Sequence, residues 1–159
     1  MKLCQEFAIE NRRKMADIII EKMGFEEEDG FETIHNYISF DDNILRKGAI
    51  SARGGESVLI PINMRDGCII GIGKGNADWN YSAPHGAGRL MSRKKAKEML
   101  KLDEFQHSMN DIFTTSVGQD TLDEAPMAYK SIDDIINNIG DTIMIQQIIK
   151  PVYNFKASE

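Results

Sequence analysis

Apolar positions in the first 23 residues recur at helical spacing. Leu3, Phe7, Met15, Ile18, Ile19 and Met23 recur at mostly helical spacing and Gly24 follows as a stop, which predicts an amphipathic helix over residues 2–23. The acidic run at 26–29 reads as a solvated turn. Beyond it the pattern changes. Residues 31–40, FETIHNYISF, are rich in β-branched and aromatic side chains and predict a strand carrying His35. Short strands are predicted at 49–53 and 57–62, on either side of Gly54 and Gly55. An Asp66-Gly67 turn leads into the apolar run CIIGIGKG (68–75), whose glycines suit close backbone packing. A polar loop with Trp79 and Tyr81 then runs to His85.

In the second half, residues 91–112 predict two helical pieces parted near Leu102 and Asp103, and 113–118 a short strand. Pro126 orders a loop over 122–130, Ser131 caps a helix at 132–139, and Gly140 ends it. A last strand is predicted at 142–149, after which Pro151 imposes an extended or edge conformation. No repeat, low-complexity tract or linker divides the chain. The order of elements predicts a single α+β domain of mixed or antiparallel sheet layers with flanking helices.

Composition narrows the function classes. A chain of 159 residues, 42% hydrophobic and 28% charged, is long enough for one real core. A net charge of −6 argues against coating nucleic acid with the whole surface, so an anionic partner must meet a local patch. Residues 89–101 supply one: Arg89, Arg93, Lys94, Lys95, Lys97 and Lys101 stand against Glu98 alone. Cys4 and Cys68 lie far apart without metal-site or disulfide spacing, which fits a reducing compartment. No apolar run approaches the roughly 20 residues that span a bilayer. The charges near the N-terminus fall where a signal peptide would be apolar, so a cytoplasmic chain with no membrane partner is expected.

The candidate chemistry concentrates in SAPHGAGRLMSRKKAKEML, residues 82–100. His85 precedes a turn of small residues, Gly86, Ala87 and Gly88, followed by Arg89 and a helix that Ser92 can cap. Such a turn lets backbone N–H groups approach a phosphate, and a helix N-terminus adds a favourable dipole. A neutral imidazole beside that phosphate can attack phosphorus; equally, it can serve only to hydrogen-bond its loop. His35 is a ligand or a satisfied strand residue, and His107 reads as exposed in a helix. The three histidines have no spacing that makes a complete metal site. Arg46-Lys47-Gly48 meets phosphate or forms a charged turn, and the corner Asn63–Asp66 often simply turns. Tyr129 stacks on a base or packs beside Pro126, and Lys156 reads as a solvated tail.

Taken together these segments stop being independent. HGAGRLMSRKKA, with IHNY (34–37), RKGA (46–49), LIP (59–61), DEAPMAYK (123–130) and the terminal KPVYNFK, resembles the RtcB family of RNA-splicing ligases, in order over essentially the whole chain. The resemblance is to the C-terminal part of that family. The N-terminal part, with a cysteine and further histidines that bind metal, has no counterpart in these residues. The resemblance implies use of GTP and manganese to join an RNA 3′-phosphate or cyclic phosphate to a 5′-hydroxyl. It implies that His85 is guanylylated, that GMP passes to the RNA 3′-phosphate, and that the 5′-hydroxyl displaces it. It makes His35 a manganese ligand, Tyr129 the ring that stacks on guanine, Lys156 a nucleotide contact and Arg93 a phosphate holder. Asn63, Gly86, Ala87 and Gly88 complete the implied nucleotide-binding set.

The chain also departs from the family pattern. Ile62-Asn63-Met64-Arg65 replaces a Gly-Ser-Met-Gly corner common in the family, Cys68 replaces a serine, and Pro84 precedes the key histidine. One histidine ligand cannot hold two manganese ions, so the chain alone is expected to be an incompetent ligase: a fragment, a split member or a remnant. Apolar faces left by the absent half then invite pairing with that half or self-association. A non-catalytic module that binds a nucleotide, an anion or another chain stays open beside the ligase reading. A histidine phosphotransfer domain would need a long four-helix pattern that the sequence lacks.

Overall fold

A computed structural model describes residues 1–156. Helix α1 (Lys2–Met23) stops at Gly24 as its spacing predicts. Strands β1 (Asn36–Ser39) and β2 (Ile44–Lys47) form a hairpin, followed by β3 (Ala49–Ser51), β4 (Ser57–Asn63), β5 (Gly67–Gly73) and β6 (Ser82–Pro84). Helices α2 (Arg93–Met99) and α3 (Leu102–Ser108) precede the two-residue strand β7 (Phe113–Thr114). Two 3-10 turns (Leu122–Glu124, Pro126–Ala128), helix α4 (Ile132–Ile139) and strands β8 (Ile143–Ile149) and β9 (Tyr153–Asn154) complete the α+β fold. No helix among the described residues is long and apolar enough to cross a membrane.

Strand β5 is the centre of an antiparallel sheet ordered β4-β5-β8. Its residues alternate between buried and half-buried, as a period of two requires of a strand covered on one face. Val58, Ile60, Ile62 and Ile69 from this sheet pack with Ile50, Ala83 and Ala87 and with Ile135 and Ile139 of α4. Full burial of each large aliphatic here is worth roughly 1.5–3 kcal/mol. A second cluster gathers Met64, Phe105, Met109, Leu122 and Ala125. Ile62 belongs to the first core and Met64 to the second, so the chain passes from one to the other at the end of β4.

Several boundaries differ from the sequence reading. The predicted strand over 31–40 pairs only at Asn36–Ser39, because only there does β2 offer a partner, and His35 falls just outside it. The helical break lies at Leu100–Lys101, with Leu102 opening α3. Arg46 and Lys47 end a strand instead of forming a turn, and the alternation of β2 buries Arg46 to 2% exposure. Helix α1 is regular but buries none of its residues, and Leu3, Phe7, Met15, Ile18, Ile19 and Met23 are exposed. The Gln5 amide ties it to the sheet, accepting from the Ile38 N–H at 2.8 Å and donating to its carbonyl at 3.1 Å. Ser131 caps α4 as expected, accepting from the Asp134 N–H at 3.1 Å.

The β4–β5 turn depends on Gly67. Its φ is +82°, and a Cβ would press into the backbone carbonyl of Ile149 on β8. Gly67→Ala is expected to destabilise the chain by about 2–4 kcal/mol, through forced left-handed backbone and displacement of β8. Urea unfolding checks this; a midpoint equal to that of the unsubstituted chain would refute the packing described.

Candidate functional site

At the seam between the two cores lies an open cavity of about 490 Å³. His85, Gly86, Ala87, Gly88, Asn63, Arg93, Tyr129 and Lys156, the catalytic and nucleotide-binding set that the resemblance implies, all line it, and His35 does not. Strand β6 ends at Pro84 and delivers His85 to the rim; the chain then turns through the small residues. The N–H groups of Gly86, Ala87 and Gly88 meet no protein acceptor among the described residues, whereas Gly88 and Leu90 bond across to Lys130 and Ala128. That bridge fixes the turn against the segment carrying Tyr129. Helix α2 begins only at Arg93, so an anion here would meet the turn's own amides and not a helix end.

His35 and His85 meet edge to face, with ring centroids 4.6 Å apart and an interplanar angle of 89°. The Gly48 N–H, between β2 and β3, donates to the His35 carbonyl at 2.9 Å and to Asn36 Oδ1 at 3.1 Å. Gly48 has a φ of +69°, a left-handed backbone that favours glycine, while a Cβ there would make only an ordinary contact with the His85 ring at 3.5 Å. Burial, then the neighbouring His35, lowers the His85 pKa below its ordinary 6.5. His85 is therefore neutral at physiological pH, the state in which a ring nitrogen can attack.

The cations of residues 89–101 divide: Lys94, Lys95 and Lys101 stay exposed, whereas Arg89, Arg93 and Lys97 turn to two carboxylates. Arg93 Nη1 sits 2.6 Å from both Asp123 Oδ2 and Glu124 Oε1, and Lys97 Nζ lies 3.6 Å from Asp123 Oδ1. Arg89 donates to the Asp123 carbonyl and, at 2.8 Å, to the Tyr129 hydroxyl, while its guanidinium covers the Tyr129 ring at 4.8 Å from the centroid. Tyr129 in turn donates to Glu124 Oε2 at 2.8 Å, and Lys156 Nζ approaches the same oxygen at 3.4 Å. Lys156 is no loose tail: its backbone N–H donates to Ser116 Oγ at 2.8 Å, beside the parallel pair β7–β9.

Asp123 and Glu124 belong to the DEAPMAYK segment, with no role assigned to either from the sequence. Their signal was an adjacent carboxylate pair in a chain whose cations cluster elsewhere. Burial opposes their ionisation, but Arg93 and Lys97 around Asp123, and Tyr129, Lys156 and Arg93 around Glu124, hold both below the usual carboxylate range. Burial and the facing Glu124 push the Tyr129 phenol up to about 12, so it stays a donor. Asn63 lines the wall, but its side chain is spent locally. Oδ1 accepts from the Arg65 and Asp66 N–H groups at 2.9 Å, and Nδ2 donates to Asp66 Oδ2 at 2.8 Å. Cys68 lies on the same wall with its thiol pKa raised by burial. His107 is exposed in α3, as its sequence context predicts.

The donor set does not fit a complete manganese site. Among the described residues no three His, Cys, Asp or Glu side chains gather where one ion could be held, and manganese wants several, mostly oxygen, ligands. His35 with its neighbour is at most part of such a sphere.

The family model for the tRNA-splicing ligase RtcB matches residues 1–157, and the chain belongs to that family. It is 33% identical over 129 residues to the RNA-splicing ligase RtcB of Escherichia coli K12, covering 77% of this chain and 31% of that protein. It is 38% identical over 84 residues to the tRNA-splicing ligase RtcB of Aeropyrum pernix, covering 50% of this chain and 17% of that protein. The chain thus spans about a third or less of the length of these relatives.

The carboxylate pair has a measurable signature. Both groups ionise more readily in the folded chain than in the unfolded one, from ordinary values of 3.8 and 4.5. Below those values the unfolded state binds more protons, so stability is held above pH 4.5 and falls as pH drops through the depressed folded values. Glu124→Gln is expected to shallow that acid limb and to cost about 1–3 kcal/mol near neutrality. Urea midpoints between about pH 7 and pH 3 check it; an unchanged acid limb would show that Glu124 is not the buried partner described.

Proposed function

We propose that this chain is the nucleotide-carrying, C-terminal part of an RtcB-like RNA ligase, with His85 as its nucleophile. In this reading a neutral His85 ring nitrogen attacks the α-phosphorus of GTP; a P–N bond forms, the bond to the β-phosphate oxygen breaks and pyrophosphate leaves. GMP then passes from His85 to an RNA 3′-phosphate, and a 5′-hydroxyl displaces GMP to seal the strand. The turn amides at 86–88 and the cations Arg93 and Lys156 would stabilise charge developing on phosphorus, and Tyr129 would face the guanine. What supports this is the convergence of a neutral imidazole, unpaired amides and anchored cations on one cavity, in a chain of this family.

The missing metal ligands are assigned to protein beyond these residues, and the bare face of α1 is a natural surface for that portion or for a second copy. The incomplete donor set also favours one second reading, a module that binds a nucleotide or anion without chemistry. Incubation with labelled GTP and manganese separates them when the remaining two-thirds of a relative is supplied in trans. The ligase reading expects an acid-labile, base-stable adduct, reduced at least about a thousandfold in His85→Ala and retained in His107→Ala. Absence of any adduct with the complementary portion present would leave the binding module.

A further inference from the structure

We propose that Arg46 is a positioning residue that sets the mutual placement of His35 and His85. The two histidines belong to separate pieces of the fold: His35 precedes β1, and His85 follows β6. Backbone pairing alone leaves the hairpin β1–β2 and the pair β3–β6 as two small sheets, joined through Gly48. Arg46, on β2 directly opposite Tyr37, spans the gap. Its Nη1 donates to the Tyr37 hydroxyl at 3.1 Å, on the His35 side. Its Nε donates to Ser82 Oγ at 2.9 Å and its Nη2 to the carbonyls of Asn80 and Tyr81 at 3.3 Å, on the His85 side.

Two features separate this from ordinary packing. Arg46 is 2% exposed, yet among the described residues its hydrogen-bond partners are all neutral. A buried guanidinium without a carboxylate is a costly way to fill a core, and an apolar side chain would do so more cheaply. What a guanidinium offers is a rigid fork of donors that fixes several acceptors at once. The acceptors are also unusual. Asn80 and Tyr81 hold φ values of +50° and +52°, a conformation uncommon for single non-glycine residues and rarer for two in succession. Their carbonyls are turned toward Arg46 at the entry to β6, five and four residues before His85. The fork holds the strained entry to one strand and an aromatic on the other, so the edge-to-face meeting of the rings depends on it.

The inference rests on the reading of His85 as the reacting group, but its test does not need catalysis. In the full chain, the nuclear Overhauser cross-peak between the His35 and His85 ring protons reports their contact, and amide dispersion reports the fold. Arg46→Lys keeps the charge but not the fork: a dispersed spectrum with the ring cross-peak lost is the expected result. A folded Arg46→Lys chain with an undiminished cross-peak would overturn the proposal. Should that variant fail to fold, Tyr37→Phe combined with Ser82→Ala removes two acceptors and leaves Arg46 in place. Loss of the cross-peak in the folded double variant supports the clamp, and its retention overturns it. A wild-type chain that shows the cross-peak but forms no GTP adduct would speak against the ligase reading alone.

Discussion

Like charges gather only where opposite charge holds them, and in this chain that is the work of Asp123 and Glu124. Arg89 and Arg93 come from the loop and helix after His85, Lys97 from the same helix, and Lys156 from the far end of the chain. All converge on two adjacent carboxylates in a single 3-10 turn. The buried Leu122 and Ala125 seat that turn in the second core, so the charges are held by packing as well as by attraction. The cavity wall therefore keeps an excess of cations, with Arg89, Arg93, Lys150 and Lys156 lining it against Glu124. An incoming phosphate would exchange one set of oxygens for another around guanidinium groups already in place, with little reorganisation.

The placement of the cavity follows from the two cores. A single core would have closed over the end of β4; instead Ile62 and Met64 turn into different clusters and Asn63 is left facing the gap between them. The seam is lined from both sides by segments whose own packing is complete. His85 arrives on a strand, Tyr129 on a loop bridged to the small-residue turn, and Lys156 on a short parallel pairing. None of these elements is large. Their precision comes from being fastened to one another across the gap.

What the sequence revealed about the fold was whatever local chemistry decides. Helix α1 and its glycine stop, the Ser131 cap and the apolar strand β5 were legible because capping, spacing and alternation act within a few residues. The limits of the strand over 31–40 were not, since pairing depends on a partner brought by the hairpin. The pairing of Arg93 within the basic stretch at 89–101 was not legible, because its counter-charges lie some 30 residues away in sequence. Arg46 was hidden for a related reason: a charged residue reads as exposed unless its acceptors, 34 to 36 residues distant, are known. Of the candidate site, the residues could be named, chiefly through the family resemblance. Asn63's local commitments and the carboxylate anchor could not.

The half-buried thiol of Cys68 gives the cavity an optical handle of its own. It stands on the wall facing His85 and the small-residue turn, while Cys4 lies exposed on α1, away from that wall. A chromogenic thiol reagent would react in two phases, a fast one at Cys4 and a slow one at Cys68, whose thiolate fraction is suppressed by burial. Anything that fills the cavity would shield only the slow phase, so occupancy could be followed without labelling the occupant.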